Sequence, residues 1–306
     1  MNSIYDKYFV EQNCPVCGSN ERKLQHKNIL HTCFVLEKAK IDVKNEEAMS
    51  DIVKCLHCHH SYLSRIIKEE YINKYYSEAN SEYYDAVKQN PYDRRPLDTK
   101  RFGDLILEKC PSAKNVLEIG SGLGHLLNDL SLKGLDCYGV EPSPLASEFS
   151  RKTFNLNVVT SMLNEKTFEN KKFDIILIMD VVEHVANINE LMKLVKHYLA
   201  KNGRLVVLTG NNNSLYAKLC GKKWLYYFSW EHISFFNKSS TKFLFNKHAL
   251  QLEHFIKTQH SGTFYENMRM VFYTIFCMCR NFFGVRKQVY YYMAFDHFFA
   301  IGKNDD

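Results

Sequence analysis

Two pairs of cysteines near the start of the chain have a spacing typical of metal ligands. Cys14 pairs with Cys17 and Cys55 with Cys58, and 37 residues lie between the pairs. Alone, one Cys-x-x-Cys turn is equally compatible with chance or with a redox pair. Two such turns supply four thiolates, which complete the tetrahedron that zinc prefers and leave no position open for a substrate. We therefore predict that these four cysteines hold a structural zinc ion in a small N-terminal lobe.

Three glycines at alternate positions, Gly120, Gly122 and Gly124, follow a short apolar run. Glycine accepts positive φ and leaves the backbone bare, so this turn suits a nucleoside packed against the main chain. The spacing differs from the dinucleotide fingerprint, whose third glycine would fall where His125 stands. Glu141 ends the next predicted strand, at the distance where an open α/β sheet places a carboxylate for ribose hydroxyls.

Carboxylates and histidines occur together at two later places. Asp180, Glu183 and His184 follow the apolar run Phe173–Met179, which is of the kind buried on both faces of a parallel sheet. The carboxyl end of such a strand lies at the crevice where open α/β sheets bind ligands. His232, with an acidic residue before it, follows an aromatic segment. Both histidines are candidates for proton transfer.

The alternation of apolar runs and helix signals predicts the elements that position these residues. The apolar run before the glycine turn is expected to be the first strand of the sheet. The later strands are expected at Leu135 to Val140, Asn157 to Val159, Phe173 to Met179, Arg204 to Thr209, Gln251 to Thr258 and Phe295 to Ile301. Helices are expected at Thr99 to Lys109, Gly124 to Leu132, from Pro144, at Asn189 to Ala200 and at Ser239 to Leu250. This order predicts an α/β fold with a parallel sheet.

The pattern Glu118-x-Gly120-x-Gly122-x-Gly124, together with Glu141 and the block that begins at Asp180, resembles class I S-adenosylmethionine-dependent methyltransferases. It is most similar to a subgroup with an N-terminal cysteine-rich zinc lobe, many of whose members methylate sugars or other small metabolites. The resemblance implies a Rossmann-like, seven-stranded, mostly parallel sheet with helices on both faces, plus a small zinc-ribbon lobe. It extends over nearly the whole chain.

The resemblance also implies roles for individual residues. Glu118, Gly120, Gly122 and Gly124 would shape the cofactor turn, Glu141 would hold both ribose hydroxyls, Met162 would contact adenine, and Asp180 would lie near the methionine moiety. The implied cofactor is S-adenosylmethionine.

The expected chemistry needs alignment of the acceptor and removal of its proton, because a sulfonium methyl group is already activated. We predict His232 or His184 as the base, with Glu231 as orienter or alternative base. His184 is also compatible with a simple capping role at the start of a helix.

The segment from Tyr216 to His232 contains both tryptophans of the protein and several lysines. Trp224, Tyr227 and Trp230 would suit a ring-shaped acceptor, whereas the alternative is an insert that only packs the core. Further upstream, Arg94 and Arg95 are available to a phosphate. The acceptor predicted from these features is a small polar metabolite such as a nucleotide-linked sugar.

We divide the chain into a zinc-binding lobe (1–68), a tyrosine-rich connector or lid (69–98) and a methyltransferase domain (99–306). Its substrate-side inserts are predicted at 210–238 and 262–292. The second insert is aromatic and methionine-rich, which fits a pocket cover, a dimer face or membrane-surface contact.

Composition limits the other function classes. The 306 residues carry a net charge of +6, an excess that permits a phosphate-bearing ligand but is too diffuse to demand nucleic acid. There is no signal-peptide core, and the longest apolar run is far short of the roughly 20 residues of a membrane span. A cytoplasmic enzyme, with a homo-oligomer possible, is the expectation.

Two alternatives remain at this point. One is an RNA methyltransferase, since some of these carry a cysteine-rich lobe before the same fold. Against it, the cysteine lobe has no dense stripe of Lys and Arg, and strand four ends in Asp180-Val181-Val182 and not in the Asn-Pro-Pro-Tyr type of turn. The other is an inactive binding module that retains the fold. Its intact glycine turn and Glu141 argue against that reading.

Overall fold

The computed structural model describes residues 8–30, 49–68, 70–71, 95–227, 232–259, 268–269, 271–272, 275 and 296–305. In chain order the strands are β1 (Phe9–Glu11), β2 (Arg22–Leu30), β3 (Met49–Cys55), β4 (Ser61–Leu63), β5 (Arg65–Ile67), β6 (Asn115–Ile119), β7 (Asp136–Val140), β8 (Asn157–Val159), β9 (Phe173–Met179), β10 (Leu199–Gly210), β11 (Ser234–Phe235), β12 (Leu250–Thr258) and β13 (His297–Asn304). The helices are α1 (Arg95–Lys109), α2 (His125–Leu132), α3 (Pro144–Phe154), α4 (Ile188–Tyr198), α5 (Leu215–Cys220) and α6 (Lys238–Lys247).

Seven strands form the main sheet in the order β12-β13-β10-β9-β6-β7-β8. The five strands from β10 to β8 in this order are parallel, and β13 runs antiparallel to both of its neighbours. The chain order reverses at β6, so the crevice expected at the switch point lies at the carboxyl ends of β6 and β9. The predicted Rossmann-like fold is confirmed.

Helices cover both faces of this sheet. On one face, Leu117, Ile176 and Val207 pack in a cluster that includes the buried side chains of α4 and α6. On the opposite face, Val116 and Ile175 pack in a second cluster with those of α1 and α2. Ile175 to Ile178 in β9 are all buried, which is the apolar pattern of a strand covered on both faces; Asp174, near the start of the strand, is the polar exception.

The helices begin where short polar side chains satisfy free backbone amides. Ser143 accepts from the amide of Ala146 at the start of α3, and the next residue, Pro144, already has a helical φ. Asn237 and Ser240 form a reciprocal capping box at the start of α6. Among the described helices, none has the length and apolar character needed to cross a bilayer.

A smaller sheet has the strand order β11-β4-β3-β2. Its edge strand β11 comes from the later part of the chain, and Ser234 and Phe235 pair antiparallel with Tyr62 and Ser61. Buried residues from the N-terminal lobe and from the segment after β10 share one cluster, which includes Ile52, Leu63, Trp224 and Phe235. The lobe and the segment that follows β10 are therefore built as one unit.

Candidate functional site

The four predicted zinc ligands meet at one point. The sulfur of Cys14 lies 3.4 Å from that of Cys58, and the sulfur of Cys17 lies 3.5 Å from that of Cys55. All four sulfurs lie within 4.8 Å of one another, compared with about 3.8 Å between ligands of a tetrahedron with Zn–S near 2.3 Å. The hydrogen bond from Cys58 lowers the pKa of Cys14 to about 5, whereas burial raises that of Cys17 to about 11. The donor set and its shape fit a zinc ion.

The first cysteine turn is anchored to the main domain. Gly18 ends the turn with φ +83°, and its amide bonds back to the first cysteine at 2.8 Å. Asn189 on α4 donates to the carbonyl of Pro15 at 2.6 Å, and Lys247 on α6 donates to that of Val16 at 3.0 Å. The position of the sulfur cluster is thus tied to two helices that cover the sheet.

The glycine turn after β6 has the geometry that its sequence predicts. Gly120, Gly122 and Gly124 all have positive φ. A Cβ at Gly120 would lie 2.6 Å from Val181, and one at Gly124 would lie 2.8 Å from Ser150, so both need glycine for packing. A Cβ at Gly122 would meet no described residue within 4 Å, which leaves bare backbone open for a ligand.

Two buried carboxylates stand beside this turn. Glu141 accepts hydrogen bonds from the amides of Gly122 at 2.9 Å and Ser143 at 2.8 Å, and so fixes the turn against the end of β7. Glu118 is also buried, and its Oε2 has no hydrogen-bond partner among the residues that the structure describes. Burial, and secondarily the charge of Glu141, raises the pKa of Glu118 to about 8. An unsatisfied buried oxygen beside an open backbone turn fits the hydroxyl or ammonium donors of a bound nucleoside.

Asp180 and Met162 occupy the same edge of the sheet. Asp180 follows β9 with φ +52°, a left-handed conformation that aspartate tolerates better than most residues. Its Oδ1 lies 3.9 Å from Nε2 of the buried His297. Met162 lies just after β8 and is 55% exposed, which leaves its side chain accessible to a ring placed on the sheet edge.

The two candidate bases are neighbours. The rings of His184 and His232 lie 4.8 Å apart, edge to face. Nδ1 of His232 lies 2.9 Å from the carbonyl oxygen of Tyr226, and since a carbonyl only accepts, Nδ1 carries the proton and Nε2 holds the lone pair. Burial, with a further contribution from His184, lowers the pKa of His232 well below its usual range.

Glu183 completes this group. Its carboxylate lies within 4.8 Å of donor atoms of His184 and His232, a set that a divalent cation could use. In the structure, however, hydroxyls already donate to both of its oxygens, from Tyr226 at 2.5 Å and from Thr209 at 2.9 Å. We therefore interpret the group as a hydrogen-bonded network.

Two predicted acceptor contacts lie elsewhere. Trp224 is 0% exposed, and its indole donates to Asp296 at 2.5 Å. Tyr227 is buried as well, and Gln25 of the N-terminal lobe donates to its hydroxyl at 3.2 Å. Both side chains join the lobe to the sheet, so the core-packing alternative applies to them, and neither is offered to an acceptor.

For four other predicted site residues, the structure does not describe the side chain. Arg94, Trp230 and Glu231 lie outside the described residues. Arg95 begins α1, and its side chain also lies outside the described part. Most of the predicted connector at 69–98 and most of the insert at 262–292 lie outside it too.

Sequence reasoning missed the roles of Glu183 and Tyr226. Glu183 was visible as part of the acidic block, but its complete burial is a tertiary property. The glycine at position 210 was a sequence signal that a side chain packs closely against the end of β10. That side chain is Tyr226, whose ring would lie 2.5 Å from a Cβ at Gly210.

Comparison with known proteins places this geometry in a family. A family model described as a methyltransferase domain matches residues 92–254, more than half of the chain. A ubiquinone biosynthesis O-methyltransferase of Bradyrhizobium diazoefficiens is 31% identical over 156 residues, which are 45% of this chain and 60% of the relative. The chain spans 60% or less of the length of the curated relatives that it matches.

Solved structures agree in fold. A SAM-dependent methyltransferase from Archaeoglobus fulgidus has a TM-score of 0.50 and 18% identity, with 73% of this chain and 100% of that chain covered. Magnesium protoporphyrin IX methyltransferase from Synechocystis PCC 6803 with bound SAH has a TM-score of 0.50 and 12% identity, with 78% and 100% covered. The chain belongs to the methyltransferase-domain family, and its fold is that of the class I S-adenosylmethionine-dependent methyltransferases.

Proposed function

We propose that this protein transfers the methyl group of S-adenosylmethionine to a hydroxyl group of a small molecule, with His232 as the base. The observation that carries the proposal is the arrangement at the carboxyl edge of the sheet. There, Glu118 lies at the end of β6, the open glycine turn follows it, Glu141 follows β7, and the His184–His232 pair lies beyond β9. The cofactor supplies an activated methyl group when it is bound.

The donor half of the site would be formed by the turn and its neighbours. Within the described part of the chain, Gly122 leaves space against the backbone and Glu118 has a buried oxygen without a hydrogen-bond partner. Glu141 is held by two backbone amides in an orientation that leaves its carboxylate beside the turn. We assign Glu141 to the ribose hydroxyls, Met162 to the adenine ring and Asp180 to the methionine end.

The acceptor half would be formed around His232. Its Nε2 has the lone pair because Nδ1 donates to the carbonyl of Tyr226. Since burial lowers the pKa of the ring well below its usual range, His232 is neutral near pH 7 and ready to take a proton. A positioned base of this kind contributes roughly 10²- to 10⁴-fold to the rate. His184, edge-on to His232, would line the same space.

The names of the curated relatives bear on the acceptor. They are ubiquinone biosynthesis O-methyltransferases, which suggests an aromatic hydroxyl group as acceptor. They lend no support to the nucleotide-linked sugar that the sequence resemblance implied. A phosphate on the acceptor, a homo-oligomer and a cytoplasmic location stay predictions.

The test has a binding arm and a transfer arm. Calorimetry measures binding of S-adenosylmethionine to the purified protein. Mass spectrometry then screens catechols, reduced quinones, nucleotide sugars and RNA for the gain of one methyl group. We expect binding, and transfer to a catechol or quinol that His232→Ala reduces by about 10²-fold or more without weakening cofactor affinity. Lack of cofactor binding, or methylation of RNA, would overturn the proposal.

For the sulfur cluster we propose zinc. Four thiolates in a closed site match a structural ion, and they would hold the first cysteine turn against α4 and α6. Elemental analysis should find one zinc per chain in the wild-type protein and none in Cys14→Ser. Iron in place of zinc would refute this assignment.

A further inference from the structure

Tyr226 is the centre of a buried hydrogen-bond network. Its hydroxyl donates to Oε1 of Glu183 at 2.5 Å and accepts from the amide of Gly210 at 2.9 Å. Thr209 donates to the other oxygen of Glu183 at 2.9 Å, and its Oγ1 lies 3.0 Å from the Tyr226 hydroxyl. The end of β10 therefore holds both the tyrosine and the glutamate.

The ring of Tyr226 is held as firmly as its hydroxyl. It stacks on Trp224 with centroids 4.9 Å apart and lies 3.9 Å from the ring of His232. A Cβ at Gly210 would come within 2.5 Å of the ring, so the ring can pack here only because residue 210 is glycine. His232 thus contacts Tyr226 twice, by its ring and by the bond from its Nδ1 to the backbone carbonyl.

Glu183 holds the chain on the other side of His232. Its backbone carbonyl accepts from the amides of Ile233 at 2.9 Å and Ser234 at 3.2 Å. Its side chain accepts from Tyr226. The fully buried Glu183 therefore binds the chain on both sides of His232, at Tyr226 before it and at Ile233 and Ser234 after it.

The buried carboxylate also has an electrostatic consequence. When His232 takes up a proton it becomes an imidazolium in a buried site, where an uncompensated charge is costly. The carboxylate of Glu183 lies within 4.8 Å of donor atoms of both histidines. Burial raises the pKa of Glu183, and the nearby His184 opposes this rise. A positive charge on His232 would favour the ionised carboxylate, whose negative charge would then offset it.

We infer that Glu183 and Tyr226 are positioning residues that hold His232 as the Nδ1-protonated tautomer with Nε2 directed toward the acceptor hydroxyl. The inference rests on the proposed function of His232 as the base. In the transfer, the acceptor oxygen forms its bond to the methyl carbon as the carbon–sulfur bond breaks. The hydroxyl proton passes to Nε2 and is later released to solvent.

The test compares two adjacent buried tyrosines. Tyr226→Phe removes the hydroxyl that bonds to Glu183, and Tyr227→Phe removes a neighbouring hydroxyl that bonds instead to Gln25 of the N-terminal lobe. We expect Tyr226→Phe to lower kcat by about 10- to 100-fold at unchanged cofactor affinity, the range found when a group that orients a functional histidine is lost. Tyr227→Phe should stay within about threefold of the wild type. Equal losses in the two variants would overturn the inference.

A second readout does not depend on turnover. Nitrogen NMR of histidine-labelled protein reports the tautomer of His232, whose signal is identified by its loss in His232→Gln. We expect a pure Nδ1-protonated ring in the wild type and in Tyr227→Phe, and a mixture of tautomers in Tyr226→Phe. An unchanged tautomer in Tyr226→Phe would overturn the inference, even if kcat falls.

The two proposals fail differently. Absence of methyl transfer in the wild type contradicts the proposed function. The NMR comparison still decides whether Glu183 and Tyr226 hold the tautomer of His232. If Tyr226→Phe does not fold, Thr209→Val removes the other hydroxyl donor to Glu183 with little change of shape. A loss of about threefold to tenfold in kcat, with tautomer mixing, is then expected, and wild-type behaviour would overturn the inference.

Discussion

The donor side and the acceptor side of the candidate site are built in different ways. The donor side consists of the end of β6 and the turns that follow β6, β7, β8 and β9, so its groups occur in chain order from Glu118 to Asp180. The acceptor side joins Glu183, the end of β10, the segment around Tyr226 and the N-terminal lobe. Local backbone geometry makes the first, and long-range packing makes the second. The predictions below separate the two sides experimentally.

The largest expected effect is on the acceptor side. Cys55→Ser should abolish metal binding and loosen the lobe, whose strand β4 pairs with β11 two residues beyond His232. Turnover should fall by about 10- to 100-fold, because a displacement of roughly 1 Å at the chain around His232 would misplace the base. Cofactor affinity, measured by calorimetry, should change by less than about threefold.

The control is Cys110→Ser, which alters a buried thiol that lies outside the sulfur cluster. It should retain zinc and turnover. A parallel loss of cofactor affinity in Cys55→Ser would show that the two sides are not separable.

The second prediction concerns the donor side, where a substitution should weaken cofactor binding and leave His232 unaffected. Gly122→Ala places a methyl group where the ligand is expected, so cofactor affinity should fall by about tenfold or more while the His232 tautomer is unchanged. Gly134→Ala is the matched control, because Gly134 also has positive φ and open space, away from the site. Both variants should lose about 1 kcal/mol of stability from backbone strain. Equal cofactor affinities in the two would contradict an open donor site at Gly122.

The third prediction concerns pH. Because burial raises the pKa of Glu118 from 4.5 to about 8, the folded protein without cofactor binds this proton more tightly than the unfolded chain does. Glu118 should therefore reduce stability as pH rises from 4.5 to 8, with little further change above. Glu118→Gln should remove this slope, so that at pH 8 its free energy of unfolding exceeds that of the wild type by roughly 4 kcal/mol.

Denaturant unfolding at several pH values measures this difference. Glu165→Gln, at an exposed position on the same domain, is the control and should leave the slope unchanged. A wild-type slope in Glu118→Gln would show that the buried oxygen already has a partner.

The smallest expected effect is at the joint between the lobe and the sheet. Asn189→Ala removes the hydrogen bond to the carbonyl of Pro15, which should cost about 1 kcal/mol in free energy of unfolding. Lys193→Ala, one turn further along α4 at an exposed position, should cost less than about 0.5 kcal/mol. Thermal unfolding compares the two, and equal values would mean that the anchor contributes nothing measurable.

Much of the fold was predictable because its signals are local. The strand Phe173–Met179 and the strand Asn157–Val159 have the bounds that their apolar runs indicate. Boundaries elsewhere shift by a few residues, as at β10, which begins at Leu199 and not at the predicted start, Arg204. That extension arises because Leu199 pairs with Phe173 in the neighbouring strand, a contact that sequence periodicity does not contain.

The aromatic segment shows where sequence reasoning reached its limit. Trp224 and Tyr227 have the residue types of a ring-binding surface, yet both are buried between the lobe and the sheet. An aromatic ring with a polar atom suits either role, and only the presence of a packed partner decides between them. Asp296 and Gln25 are those partners, and they lie 72 and 202 residues away in the chain.

The sequence by itself determined the glycine turn, its flanking carboxylates and the cysteine spacing, because each depends on backbone conformation or ligand type within a few residues. Only the tertiary structure decided that Glu183 is fully buried, that Tyr226 contacts it, and that both hold the chain around His232. Burial and hydrogen-bond partners are properties of segments that meet in space. The donor side can therefore be predicted from the sequence, whereas the acceptor side is recognised only in the tertiary structure.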